Sequence, residues 1–100
     1  MIIHRWLASV VPTEQQINQI LASEGLEPIL EVFNVGQKIQ EHRHPYTEIR
    51  VVVSGQLTLN IAGNQMLLRE GDRTEIPANT KHSYLNNYVD DCKSLYAIRL

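Results

Sequence analysis

The spacing of hydrophobic residues changes once along this chain. Between Pro12 and Gly25, Ile17, Ile20 and Leu21 recur at three- and four-residue intervals, the period of one helix face. Thr13 stands where an N-cap belongs, Gln16 follows three residues later as in a capping box, and Gly25 is a natural stop. These signals predict a helix over 13–24. Beyond it no ten-residue stretch keeps the helical period, and glycines recur at Gly36, Gly55, Gly63 and Gly71. Gln56–Ile61 alternates, with Leu57, Leu59 and Ile61 on one side and Gln56, Thr58 and Asn60 on the other, the signature of a half-buried strand. Ala62, Gly63 and Asn64 supply turn chemistry, and Gln65–Arg69 returns as the partner strand of a hairpin. Further strands are expected over 29–35, 49–53, 83–88 and 94–100. Many short strands at regular turn spacing argue for an antiparallel sandwich or barrel rather than alternating βαβ units.

Length and charge narrow the picture. One hundred residues suit a single domain, here divided into the helix at 13–24 and a β-barrel over 27–100. A formal net charge of −2, spread without long runs, leaves no electrostatic footprint for nucleic acid or an acidic membrane. The apolar start is interrupted by His4 and Arg5 and is too short for a signal peptide or a membrane span. Cys92 is the only cysteine, so no intramolecular disulfide is possible and a cytoplasmic location is expected.

The histidines carry the chemical signal. His42 and His44 are two residues apart and project from one face if they lie on a strand. Pro45, Tyr46 and Thr47 interrupt the strand as a turn would, and Glu48 opens the next apolar run, where a hairpin brings its carboxylate beside the two rings. His82 follows a second turn, far along the chain. His4 lies outside this pattern and reads as an ordinary surface or core histidine.

The spacing resembles that of the cupin superfamily. Gly36, five residues, His42, one residue, His44, three residues, Glu48, six residues and Gly55 reproduce its first motif in full. Gly71, five residues, Pro77, then Asn79 in place of the family's glycine, two residues, His82, three residues and Asn86 reproduce the second with one departure. At background frequencies of roughly 7% for Gly and 5% for Pro, so many matches at fixed spacing are not coincidence. The departure is mild, because asparagine tolerates the positive φ of such a turn best after glycine.

The resemblance implies a mainly β fold, an antiparallel jelly-roll (double-stranded β-helix) barrel with a short N-terminal helix. It implies His42, His44, Glu48 and His82 as ligands of one divalent transition metal ion. Imidazole and carboxylate donors suit Fe, Mn, Ni, Zn or Cu, and the absence of a thiolate argues against a closed structural zinc site. Gly36, Gly55, Gly71 and Pro77 read as scaffold, and Asn86 as a residue that satisfies backbone groups at a strand end. By strand parity Arg50 shares the Glu48 face, Tyr84 the His82 face and Gln40 the His42 face, which makes these three candidate ligand-pocket residues. Arg50 inside an apolar barrel needs an anion. Either a small anionic ligand supplies it, or Arg50 pairs with a local acid or snorkels to water at the barrel mouth.

Two functions of different classes follow. One is a metal-dependent enzyme on a small oxygen-rich substrate, a dioxygenase-like oxidoreductase or an isomerase, using open positions on the ion. The other is a non-catalytic module that binds or senses a small molecule; fold alone does not separate them. Small cupins often pair, and apolar outer strands such as Val51–Val53 need cover, so a homodimer is expected.

Overall fold

The computed structural model describes residues 1–100. The chain runs β1 (Ile2–His4), α1 (Glu14–Ser23), β2 (Ile29–Phe33), β3 (Lys38–His42), β4 (Thr47–Ser54), β5 (Leu57–Ile61), β6 (Asn64–Leu68), β7 (Arg73–Ile76), β8 (His82–Leu85) and β9 (Cys92–Arg99). The strands form two antiparallel sheets, one ordered β1-β7-β4-β9-β2 and the other β3-β8-β5-β6, which together make the jelly roll.

The inner layer between the sheets follows from alternation. Leu57, Leu59 and Ile61 of β5 point inward and meet Phe33, Val52, Leu68, Ile76, Tyr84 and Cys92 in one buried cluster. The β5–β6 hairpin closes through Ala62 and Gly63, both at positive φ, as a two-residue turn requires if the strands are to keep their twist. Asn64, expected in the turn, is instead the first paired residue of β6.

The outer face of the first sheet is also apolar, and α1 lies on it. Ile17 and Leu21, one helical turn apart, pack with Leu26 against Ile49, Val51, Leu95 and Ala97. Thr13 is the N-cap: its hydroxyl accepts from the Gln16 amide, and its own amide donates to the Gln16 side chain. The helix stops one residue inside each expected end, because Thr13 is extended and Glu24 and Gly25 already turn away, Gly25 at positive φ. Ile20 is 49% exposed, since the contact row on the sheet is Ile17–Leu21 and a residue three along from Ile17 falls on its margin. Val51, taken in the sequence as an outer position needing a second subunit, is covered by this helix, which removes that argument for a homodimer.

Two strands escape the sequence pattern. β1 is three residues long and is held by pairing with β7, Ile2 opposite Glu75 through His4 opposite Arg73. β7 reads Arg-Thr-Glu-Ile, mostly polar, yet sends Thr74 and Ile76 inward. The buried carboxylate of Asp72 clips the N-terminal segment down: it accepts from Arg5 at 2.7 Å and from the amides of Trp6 and Arg69 at 2.9 Å. Trp6 then lies over Gly71, where an added Cβ would come within 2.7 Å of the indole, so this motif glycine is required by packing as well as by its positive φ. Asn79 has φ 61°, the positive angle anticipated for it. Asn86 donates to the carbonyls of Phe33 and Asp90 and accepts from the Tyr88 amide, a backbone-satisfying role. No helix is long and apolar enough to cross a membrane.

Candidate metal centre

Four side chains from separate segments meet inside one end of the barrel. His42 ends β3, His44 lies in the turn after it, Glu48 is the second residue of β4, and His82 opens β8 directly opposite His42 in the β3–β8 register. One donor atom from each lies within 4.8 Å of all the others. The His42 ring centre is 4.5 Å from that of His44 and 4.4 Å from that of His82. With metal–donor bonds of roughly 2.0–2.3 Å, donors sharing one ion lie at most about 4.5 Å apart. The set is therefore within a few tenths of an ångström of closing on one.

Backbone carbonyls orient two of the rings. His42 Nδ1 donates to the Gln40 carbonyl and His82 Nδ1 to the Thr80 carbonyl, each at 2.8 Å. A carbonyl only accepts, so the proton is on Nδ1 and Nε2 is left bare, as metal-binding histidines are commonly arranged. Tyr46 stacks on His44 with ring centres 4.7 Å apart and planes 6° from parallel. His82 Nε2 is buried without a hydrogen-bond partner, 3.7 Å from Glu48 Oε1, and His44 Nε2 is at the same distance from that oxygen. An unsatisfied buried nitrogen is costly in a native fold and calls for an occupant. Three imidazoles and one carboxylate without a thiolate fit a first-row divalent ion.

The two oxygens of Glu48 do different things. Oε1 faces the histidines, while Oε2 accepts from the Tyr84 hydroxyl and lies 3.5 Å from Arg50 Nε. Burial pushes the Glu48 carboxyl up, but the neighbouring His82, the Arg50 charge and the Tyr84 hydroxyl outweigh it and hold the group at about 2. Burial raises the Tyr84 phenol well above its ordinary value, so Tyr84 remains a donor. Burial lowers His82, yet the nearby Glu48 carboxylate and the bond to the Thr80 carbonyl leave it raised overall; burial and the neighbouring His42 lower His44.

Arg50 is 3% exposed, and its charge is met on two sides. Its guanidinium lies about 5 Å from the ring centres of Phe33, Tyr84 and Tyr96, and Nη1 meets Ser94 Oγ at 2.7 Å and Glu31 Oε1 at 2.8 Å. Burial opposes its charge, and Tyr84, Glu48 and Glu31 overcome that opposition. Of the two sequence readings, pairing with local acids is the one realised: Glu31 and Glu48 are its anions. The charge reason for an anionic ligand falls with it.

Of the three parity-based pocket residues, Arg50 and Tyr84 line the small cavity beside the cluster, and Gln40 does not. A register shift between Ile39 and His42 breaks the alternation of β3, so Ile39 takes the inward place and the Gln40 side chain is exposed. Glu31, Tyr46 and Tyr96 also line this cavity and were not singled out in the sequence. Glu31 carried a signal, an acid two residues before Phe33 in the otherwise apolar run Ile29–Phe33. The tyrosines carried none until their strands were placed.

A jelly roll with this inward histidine and carboxylate set defines the cupin class, and the cupin domain model matches residues 29–98; the chain belongs to that family. Among proteins of known activity, it is 35% identical over 83 residues to quercetin 2,3-dioxygenase of Bacillus subtilis, a match covering 82% of this chain and 22% of that enzyme. It is also 35% identical over 83 residues to acireductone dioxygenase of Alcanivorax borkumensis, covering 69% of this chain and 46% of that one. The chain thus spans less than half the length of these relatives. Among solved structures, a predicted oxalate decarboxylase of Thermotoga maritima aligns with a TM-score of 0.69 at 19% identity, over 83% of this chain and 73% of that one. A cupin 2 conserved barrel domain protein of Salinispora arenicola aligns at 0.67 and 22%, over 73% and 61%.

Proposed function

We propose that residues 1–100 form one cupin unit that binds a divalent transition metal ion through His42, His44, Glu48 and His82 and acts on a small oxygen-rich ligand as a dioxygenase-like oxidoreductase. The observation that carries this reading is the buried, unpartnered His82 Nε2 facing a second bare imidazole nitrogen and one free carboxylate oxygen. The two dioxygenases among its relatives support the reaction class. An ion bound there supplies Lewis acidity and redox chemistry at positions that protein donors leave open.

The chain's own residues prepare the site around it. Gln40 and Thr80 hold two rings in the metal-ready tautomer, and Tyr84 and Arg50 occupy Glu48 Oε2 so that Oε1 alone is presented. Phe33, Tyr84 and Ile39 exclude water from the barrel side of the cavity. The test is elemental analysis of protein purified without chelator, beside His42→Ala, followed by oxygen-uptake assays on carboxylates, enols and sugar acids. One equivalent of metal lost in the variant, with metal-dependent uptake on at least one compound, is expected. Protein that takes up no metal, or loaded protein inert across the panel, overturns the reading.

A further inference from the structure

Two cavities meet at the barrel mouth and share Tyr46 and Tyr96 as walls. The inner one, beside the four donors, has a volume of about 140 Å³. That is below the range of complete small-molecule sites, so it takes only the head of a ligand. The outer one is about 450 Å³, within the range of small-molecule sites, and is lined by Ile29, Ala97 and Ile98 together with the two tyrosines.

Sheet register puts the walls of the two on one face. Glu48 is paired with Ile98, and Tyr96 with Ile29, so on the inward face the residues beside the cluster are followed outward by an isoleucine from β9 and another from β2. Ile29 is 55% and Ile98 44% exposed, apolar side chains uncovered directly beside a polar cavity. Inside, the charge of the one guanidinium is already matched by Glu31 and Glu48, so it gives no reason for an anionic tail.

We propose that the ligand of this site is a two-part molecule, with a compact oxygen-donor head beside the histidines and an apolar tail lying between Tyr46 and Tyr96 on Ile29 and Ile98. The proposal rests on the metal-site reading and adds the ligand's shape and polarity to it. Two hydroxamates of different length separate these claims, because they share a metal-binding head and differ only in methylenes.

Acetohydroxamate and hexanohydroxamate are titrated calorimetrically into the Ni2+-loaded protein and its Ile29→Glu variant. Each buried methylene contributes up to about fourfold in affinity, so the longer probe binds roughly 10–100-fold more tightly in the wild type. That ratio falls towards one in Ile29→Glu, and as a ratio it does not depend on how well either protein holds the head. Equal affinities in the wild type, or a gain that persists in the variant, overturn the proposal alone. Protein that takes up no Ni2+ overturns the metal-site reading and the proposal with it, whereas failure of both probes to bind the loaded protein overturns the proposal alone. Sedimentation of the same samples adds one outcome: a dimer dissociated by Ile29→Glu, with no chain-length effect, gives the groove to a second copy and overturns the proposal.

Discussion

Strand β4 has two buried faces built on opposite principles. Ile49 and Val51 face α1 and meet only carbon, from Ile17, Leu21, Leu95 and Ala97. Glu48 and Arg50 face the barrel interior, equally hidden from water, and every strong contact they make is polar or to a π face. The helix side draws its stability from area removed from water, so it tolerates any apolar residue of similar shape. Around Glu48 and Arg50 the barrel side is stable only while its charges stay matched, since one lost partner leaves an uncompensated charge in a dry place, whereas further along the strand Val52 returns that face to the apolar cluster. Alternation alone put these environments one residue apart, which shows how a fold carries a polar centre without weakening the sheet that holds it.

The largest effect is expected from Arg50→Ala, which strands Glu48 and part of Glu31 without a counter-charge. Urea denaturation of the metal-free protein should show a loss of about 4 kcal/mol, and a loss below about 1 would mean that the network is not structural. On the other face, Leu21→Ala opens a cavity where the side chain is wholly buried, and a loss of about 3 kcal/mol is expected, with Leu21→Met costing much less. Equal tolerance of the two faces to apolar replacement would break the comparison.

The pH dependence of the metal-free protein comes next, on the order of 2 kcal/mol. Glu48 is lowered from 4.5 to about 2 on folding, so its contribution is complete above pH 4.5 and is lost as pH falls through 2. His82 is raised from 6.5, so its contribution is complete below 6.5 and is lost as pH rises past its folded value. His44 is lowered from 6.5, so its contribution is complete above 6.5 and is lost as pH falls, opposing His82 there; the unopposed expectation is the loss of stability below about pH 4.5 as Glu48 protonates. Glu48→Gln should remove the acid limb, and an unchanged acid limb would assign it to other carboxylates.

The smallest change is Tyr84→Phe, which frees Glu48 Oε2 and keeps the ring against Phe33 and Arg50. Loss of such an outer partner weakens metal affinity by about tenfold, and competition with a chelator measures it. Unchanged affinity would show that Arg50 alone positions the carboxylate.

How much of this was legible in the chain depends on whether the informative quantity was local. The helix, its cap and the alternation of β5 depend on neighbours a few residues apart and can be read directly, whereas the four donors, with His82 far along the chain, were legible through the resemblance of their two motifs to the cupin pattern. β1 and β7 are short and partly polar, and exist because the edge of a sheet lies beside them. Gln40 misleads because one bulge in β3 reverses the parity from which its orientation is inferred. The covering of Val51 by α1, and of Arg50's charge by Glu31, joins segments far apart in sequence.

By itself the sequence determined the helix and the many-stranded antiparallel class, because residue spacing sets side-chain direction along a strand or helix, and its two motifs pointed by resemblance to the four converging side chains. Only the tertiary structure decided what each buried group meets. It gave Arg50 two carboxylates in place of a ligand, turned one Glu48 oxygen towards the histidines and the other towards Tyr84, and set an apolar groove beside the polar cavity. The physical reason is that charge compensation and cavity shape are properties of surfaces brought together from different strands, and no single stretch of chain contains both sides of the contact.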